Sequence, residues 1–148
     1  MILWVVAVVV FALDRWTKHL IVSSFLPMES KIVIPHLLWF TYVQNVHGAF
    51  GLFGSQPVLL IVLALIVLGL FLFAFRDATR HSMLARVAIG MITGGAFGNI
   101  GDRLVHPYVV DFIDFKTIWQ YVFNVADSCV TIGVILLLLL ALRREKTP

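Results

Sequence analysis

The stretch PVLLIVLALIVLGLFLFAF, from Pro57 to Phe75, contains no charged side chain and decides the fold class of this chain. A bilayer core of about 30 Å is crossed by about 20 apolar residues in a helix, so this stretch predicts a transmembrane helix. The whole chain agrees, because 61% of its 148 residues are hydrophobic, 13% are charged and the mean hydropathy is +1.00. Such a composition is typical of integral membrane proteins and excludes an ordinary soluble domain.

Three further apolar stretches, each interrupted by polar residues near one end, predict three more membrane helices. The predicted spans are about 1–22, 57–75, 84–104 and 122–142. We therefore expect an all-α integral membrane protein with four transmembrane helices, built as one membrane-embedded domain over residues 1–148. The first span resembles a secretory signal peptide in its apolar run, but it lacks a basic start and a small-residue cleavage site, so we interpret it as a retained helix.

Basic residues outside the spans predict the orientation, because Lys and Arg accumulate on the cytoplasmic side of membranes. The second connection and its edge contain Arg76, Arg80 and Arg86, and the C-terminal tail contains Arg143, Arg144 and Lys146. Only Lys31 and Lys116 lie in the other two connections. Both termini are therefore predicted to be cytoplasmic, and the connections 23–56 and 105–121 to face the outer side. The net charge of +3 is explained by this topology without invoking nucleic acid.

The first outer connection contains KIVIP and HLLWFTYVQN, which are rich in β-branched and aromatic residues. This pattern predicts a small β-sheet on the outer membrane surface. The GAFGLFG segment that begins at Gly48 is typical of a short interfacial or re-entrant piece. Trp119 and Tyr121, in the second outer connection, are expected at the level of the lipid headgroups.

With this topology, the unusual polar residues of five separate segments converge on the outer leaflet. They are Asp14, Lys18, Asn45, Asn99, Asp102, Arg103, Asp111, Asp114, Asn124 and Asp127. Charged groups inside a membrane are costly and therefore indicate function by default. Asp14 and Lys18 stand four residues apart on one helix face, so they are either a helix-end pair at the interface or part of a site.

Asp127 has apolar neighbours and no nearby basic residue in sequence, so its partner must come from elsewhere in the fold. Asp111 is the candidate. Two carboxyls brought close together share a proton, as in aspartic proteases, and can activate a water while protonating a scissile carbonyl. The alternatives are a proton-coupled carrier or channel, which needs polar groups through the whole membrane, and a non-catalytic assembly subunit, whose aspartates would tolerate substitution.

Gly90, Gly94 and Gly98 recur at every fourth position of the third span and predict close helix packing. Gly95 lies off that stripe, where it would leave room for a substrate. The glycines lack the preceding strand of a nucleotide loop, and the five histidines lack metal-ligand spacing. Ser128 has no base near it in sequence. We therefore expect neither a cofactor nor a metal.

Five motifs follow one another along the chain. They are DRWTK (14–18), QNVHGAF (44–50), GGAFGNIGDR (94–103), VVDF (109–112) and FNVADS (123–128). Together they closely resemble bacterial lipoprotein signal peptidase, also called signal peptidase II. The resemblance implies an intramembrane aspartyl endopeptidase of the bacterial cytoplasmic (inner) membrane, with four transmembrane helices, a small extracytoplasmic β-cradle and an active site at the outer leaflet. It implies cleavage of diacylglyceryl-modified prolipoproteins just before the lipidated cysteine, contact with membrane phospholipids, and inhibition by globomycin-type compounds.

The resemblance also implies roles for individual residues. Asp111 and Asp127 match the catalytic aspartates. The positions that match residues lining the site or contacting substrate are Asn45, Gly95, Asn99, Arg103, Asn124 and Ala126. Asp14 and Lys18 match the first motif, which implies a supporting acid and a lysine near the lipid phosphate, whereas Asp102 is implied to pair with a basic neighbour. His47 stands where the family usually has glycine, so the turn after Asn45 is expected to differ.

Overall fold

The structure, a computed structural model, describes residues 1–48 and 56–144. In chain order its elements are α1 (Ile2–Ser24), β1 (Ser30–Ile34), β2 (Leu38–Asn45), α2 (Pro57–Ala74), α3 (Arg76–His81), α4 (Met83–Val105), β3 (Val109–Asp114) and α5 (Val125–Arg144). All four helices that the apolar pattern predicts are therefore present. The GAFGLFG segment lies outside the described residues from position 49 onward, so its predicted interfacial course stays a prediction.

Three helices of the described chain, α2, α4 and α5, are long and apolar enough to cross a membrane. Helix α1 has the same 23-residue length as α4. It differs because it contains three charged residues, Asp14, Arg15 and Lys18, within two turns. By length and composition the structure thus contains three candidate spans rather than the expected four.

A tight corner that the sequence reading did not predict joins α2 to α4 through the short helix α3. Arg86 satisfies the carbonyl groups at the end of α3, since its Nε donates to Thr79 O at 2.7 Å and its Nη2 to Arg80 O at 2.8 Å. The Ser82 hydroxyl then caps the start of α4 by accepting from Ala85 N at 3.3 Å. Such caps pair backbone groups that a helix end leaves without intrahelical partners.

Helix α4 forms the centre of the bundle because glycines at its contacts with α1 and α5 let these two helices approach it closely. A Cβ added at Gly90 would lie 2.7 Å from Leu3 O of α1, and Gly94 and Gly98 face α1 in the same way. On the other side, a Cβ added at Gly133 of α5 would lie 2.7 Å from Ala88 O. The packing role predicted for the glycine stripe is confirmed.

An antiparallel three-stranded sheet, in the order β1-β2-β3, lies at one end of this bundle. The small sheet is confirmed, although its third strand, VVDFID, was not predicted. Val110 and Phe112 of β3 pack with Tyr42 of β2 against Ile21, near the C-terminal end of α1. The sheet therefore sits where α1 and α4 end and α5 begins.

The segment between β3 and α5 turns back toward the sheet, and the last helix begins later than the predicted span at 122. Phe123 forms an isolated bridge with Ile113, donating to Ile113 O at 3.1 Å and accepting from Ile113 N at 2.7 Å. Because residue 123 is still held by the sheet, α5 begins at Val125 and not at 122. This bridge places Asn124 next to Asp111.

Candidate active site

A cavity of about 860 Å³ opens at the sheet end of the bundle. Its lining comes from the end of β2, from β3, α4 and α5, and from the segment before α5. Five of the residues predicted for the site lie in this lining, namely Asn45, Asn99, Arg103, Asp111 and Asp127. The two aspartates that were 16 positions apart in sequence therefore face one space.

Asp111 lies on β3 with only 2% of its surface exposed. Both carboxylate oxygens accept hydrogen bonds, Oδ2 from Asn45 Nδ2 at 2.8 Å and Oδ1 from Asn124 Nδ2 at 2.7 Å. Burial and the nearby charge of Asp127 raise the pKa of Asp111 to about 7, against the lowering effect of these two amides. A carboxyl group with this pKa can hold a proton near neutral pH.

Asp127 lies in the first turn of α5 and is held by two asparagines. Its Oδ1 accepts from Asn99 Nδ2 at 2.7 Å, and its Oδ2 accepts from Asn124 N at 3.3 Å. In return its own N–H donates to Asn124 Oδ1 at 2.9 Å. This reciprocal pairing is an Asn-x-x-Asp version of the capping box, which fixes the start of a helix. The carboxyl group is thus oriented by the same bonds that begin α5.

Asn45 reaches Asp111 because of the turn that follows it. Asn45 Oδ1 accepts from His47 N and from Gly48 N, each at 3.1 Å, so its Nδ2 points to the carboxylate. The left-handed backbone conformation falls on Gly48, with φ of 73°. His47 therefore takes the place of the family's glycine without moving Asn45 away from Asp111.

A layer of buried charges supports the cavity wall from behind. Lys18 Nζ lies 2.8 Å from Asp14 Oδ2, 2.8 Å from Asp102 Oδ2 and 2.9 Å from Asn99 Oδ1. Arg15 pairs with the other oxygen of Asp102, which confirms the predicted basic partner of this acid. Asp14 is 0% exposed and Lys18 is 2% exposed, so this pair is not the solvated helix-end pair that was the alternative interpretation.

The same charges fasten the backbone of the other elements. Asp14 Oδ1 accepts from Ala126 N at 3.0 Å, and Asp102 Oδ2 accepts from Val110 N at 3.2 Å. Helices α1 and α4 thereby hold the first turn of α5 and the strand that contains Asp111. The supporting role implied for Asp14 is consistent with this arrangement.

Three predicted residues lie behind the lining and not in it. Asn124 is 0% exposed and is hydrogen-bonded to both aspartates from behind the lining. A Cβ added at Gly95 would lie 2.5 Å from Ala126 O, so the space beside this glycine is filled by α5. Gly95 therefore does not leave room for a substrate, and its place together with Ala126 is at the contact between α4 and α5.

The sequence reading missed an aromatic wall on one side of the cavity. Phe115, Trp119, Tyr121 and Phe123 all belong to the lining, in the connection before Asn124. Phe115 and Phe123 stack with ring centroids 5.9 Å apart, and Trp119 meets Tyr121 edge to face at 6.0 Å. The sequence did contain a signal for this wall, because four aromatic residues fall within the nine positions directly before Asn124. In the sequence interpretation, Trp119 and Tyr121 were instead assigned to the level of the lipid headgroups.

The remaining polar groups limit what the cavity can do. Arg103 adds a positive charge to a wall that contains two carboxyls. Ser128 Oγ donates to the backbone carbonyl Asn124 O at 2.8 Å, so its hydroxyl proton is used within its own helix turn. Over residues 1–48 and 56–144, no group of three or more His, Cys, Asp or Glu side chains is placed to hold a metal ion. Two carboxyl groups that face one space can serve as a general acid and a general base.

Comparison with known proteins identifies relatives of this chain. A family model described as signal peptidase (SPase) II matches residues 6–143. A lipoprotein signal peptidase of Desulfitobacterium hafniense is 41% identical over 146 residues, covering 99% of this chain and 96% of that protein. Another, of Fusobacterium nucleatum, is 40% identical over 131 residues, covering 88% of this chain and 79% of that protein.

Solved structures show the same architecture. One, described as a bacterial membrane enzyme structure by the in meso method at 2.3 Å resolution, superposes with a TM-score of 0.88 at 33% identity and covers 96% of this chain and 88% of that chain. A second, at 1.9 Å resolution, gives a TM-score of 0.84 at 33% identity, covering 97% and 92%. The family match over nearly the whole chain, together with these relatives, shows that this chain belongs to the signal peptidase II family.

Proposed function

We propose that this lipoprotein-processing membrane protease is an aspartyl endopeptidase in which Asp111 and Asp127 activate a water molecule. Its substrates in this proposal are diacylglyceryl-modified prolipoproteins, cut just before the lipidated cysteine. The observation that carries the proposal is that both carboxyl groups line one cavity and are held there by asparagine amides. Relatives named lipoprotein signal peptidase support the substrate class.

The reaction needs one proton shared by the two acids. The ionised carboxylate removes a proton from water, whose oxygen forms a bond to the scissile carbonyl carbon, while the protonated acid donates to the carbonyl oxygen. The tetrahedral intermediate then breaks its C–N bond. The carboxyl group that took the water proton gives it to the departing amine nitrogen, while the other carboxylate removes a proton from a hydroxyl of the intermediate, which leaves a carboxylic acid product and restores the shared proton. A pKa of about 7 at Asp111 supports this scheme, because it keeps one proton on the pair near neutral pH.

The location we propose is the bacterial cytoplasmic membrane, with α1 as a fourth span, both termini cytoplasmic and the cavity at the outer leaflet. At 1.5 Å per residue, the 23 residues of α1 extend about 34 Å, enough to cross the hydrocarbon core. Asp14 and Lys18 are turned toward α4 and α5, while apolar side chains such as Trp4 and Val8 are exposed. The charges of α1 would then be shielded from lipid.

The same proposal predicts which molecules bind in the cavity. The aromatic side of the cavity and the adjoining membrane suit acyl chains, so phospholipids are expected at its mouth and the diacylglyceryl group inside it. Globomycin-type inhibitors would compete for this space. The predicted roles of Asn45, Asn99 and Arg103 are to hold the acids and to contact the substrate near the scissile bond.

The test is cleavage of a diacylglyceryl-modified prolipoprotein by the purified protein, followed by gel shift. Asp111→Asn and Asp127→Asn should each lower the rate by roughly 10²–10⁴-fold, because each removes an acid–base group without changing its volume. The same substrate without the lipid should not be cut.

Asp114→Asn is the matched control. Asp114 is three residues from Asp111 on the same strand, so it points to the other face, where its Oδ2 accepts from Thr41 Oγ1 at 2.6 Å. Asparagine can still accept this bond, so turnover should stay close to that of the unaltered protein. Normal cleavage by folded Asp111→Asn or Asp127→Asn would reject the mechanism, whereas no cleavage by the folded unaltered protein would favour a carrier or an assembly subunit.

A further inference from the structure

The Lys18 side chain is 2% exposed, and its ammonium group lies among three oxygen atoms. Its Nζ reaches Asp14 Oδ2 and Asp102 Oδ2 at 2.8 Å each, and Asn99 Oδ1 at 2.9 Å. An ammonium group has three N–H donors and no acceptor. Lys18 therefore donates a hydrogen bond to Asn99 Oδ1, and two carboxylates neutralise its buried charge. The geometry favours this internal role over the contact with a lipid phosphate that the first motif implied for Lys18.

This arrangement fixes the orientation of the Asn99 amide. Because Lys18 can only donate, the Asn99 atom that faces it must be the amide oxygen. Asn124 Nδ2 donates to the same oxygen at 3.1 Å. The amide nitrogen of Asn99 is then turned the other way, where it donates to Asp127 Oδ1 at 2.7 Å. A rotated amide would direct N–H groups at an ammonium and an oxygen at a carboxylate, and both contacts are repulsive.

We propose that Lys18 is a positioning residue for the hydrolysis, which fixes the amide of Asn99 so that it donates to Asp127. Asp14 and Asp102 hold the ammonium in place, and Lys18 itself lies outside the described lining of the cavity. This inference rests on the proposed function, since it assigns the catalytic carboxyl to Asp127. The amide orientation, however, can be measured without any assay of activity.

The chain offers a direct probe, because its only asparagines are Asn45, Asn99 and Asn124. Selective ¹⁵N labelling of asparagine side chains should give three pairs of amide proton signals by NMR in detergent micelles. The pair that disappears in Asn99→Gln belongs to Asn99. In the unaltered protein, we expect this pair to be separated and slow to exchange with water, since its nitrogen is bonded to a carboxylate.

Lys18→Met removes the donor and should collapse the separation of the Asn99 pair and speed its exchange. The same variant should lower kcat on the order of 100-fold through misplacement of a catalytic group, with KM changed by less than about twofold. Because this change leaves Asp14 without its cation, Lys18→Met combined with Asp14→Asn is the second variant. Asparagine at position 14 can still accept from Ala126 N, and Asp102 keeps Arg15.

Arg15→Met is the matched control. It also removes a cation from Asp102, but Arg15 is 39% exposed and contacts the carboxylate oxygen that Lys18 does not use. The Asn99 signals and kcat should stay near their original values in this variant. Unchanged Asn99 signals in either folded Lys18 variant would overturn the inference, and so would failure of both Lys18 variants to fold, which would make the residue purely structural. Normal activity of Asp127→Asn would reject the proposed function while leaving the NMR result to decide the amide orientation.

Discussion

Asn124 and Asp127 hold each other at the first turn of α5, each donating its backbone N–H to the other's side chain, at 3.3 Å and 2.9 Å. Asn124 also donates through Nδ2 to Asp111 Oδ1 at 2.7 Å. One asparagine thus starts the helix that presents one acid and orients the other acid. The contacts that begin this helix therefore also orient both acids.

Replacement of Asn124 separates its two roles. Asn124→Ala should destabilise the protein by about 1 kcal/mol through the lost cap and by roughly 1–3 kcal/mol more through the buried acceptors left without a donor. Asn124→Ser restores a capping oxygen but is too short to reach Asp111. Asn124→Ser should therefore have a free energy of unfolding about 1 kcal/mol higher than that of Asn124→Ala, as measured by thermal unfolding. The cleavage rate of both variants should stay reduced on the order of 100-fold. Equal stability of the two variants would contradict the capping role.

The positions of the helices could be predicted from sequence because the hydrocarbon core of a membrane accepts only apolar segments whose backbone groups are paired within the segment. Any stretch such as Pro57–Ala74 must be helical and apolar to cross a bilayer, whatever its neighbours are. The predicted topology also placed Asp111 and Asp127 toward one leaflet, and in the structure both face one cavity. Both predictions needed only the order of spans along the chain.

Contacts between side chains distant in sequence were not predictable in the same way. Lys18 donates to Asn99 across 81 positions, and Asp14 accepts from Ala126 across 112 positions. Their pairing depends on the rotation of α1 and α5 about their axes, which the glycine contacts of α4 set. The extended bridge at Phe123 was missed for a related reason, because it depends on pairing with β3 and not on its own sequence.

The raised pKa of Asp111 predicts how activity depends on pH. With a pKa of about 7, the acid keeps its proton below neutral pH, and about one molecule in ten keeps it at pH 8. If one shared proton is required, kcat/KM should hold up to about pH 7 and fall about tenfold per unit well above it. Cleavage rates measured from pH 5 to pH 9 test this prediction, and a rate that rises through pH 8 would contradict it.

The same shift predicts how stability depends on pH. Asp111 binds its proton more tightly in the folded protein than in the unfolded chain, where its ordinary pKa is 3.8. The folded state therefore holds more protons between about pH 4 and pH 7, so this group makes stability fall as pH rises through that window. Asp111→Asn cannot ionise and should flatten the dependence. Denaturation of both proteins at pH 5 and pH 7 is the measurement, and parallel changes would show that other groups cause the dependence.

Gly98 allows a test of whether the buried charges stabilise the fold, because the Asp14 carboxylate occupies the space that a side chain at position 98 would need. A Cβ added there would lie 2.5 Å from Asp14 Oδ2 and 3.0 Å from Asp14 Cγ. Gly98→Ala must move the Asp14 carboxylate away from Lys18. We expect this variant to lower the free energy of unfolding by roughly 3 kcal/mol or more, because it combines overpacking with a broken buried ion pair.

Gly101→Ala is the control on the same helix, because its nearest contact would be Phe11 Cε2 at 3.8 Å, an ordinary separation. That variant should be neutral or stabilised by up to about 1 kcal/mol, since alanine favours the helix. Thermal unfolding in detergent compares the two. If Gly98→Ala melted at the temperature of Gly101→Ala, the Asp14 carboxylate could move away from Lys18 without lowering stability. That result would contradict the proposal that these buried charges fix the first turn of α5 and the Asn99 amide.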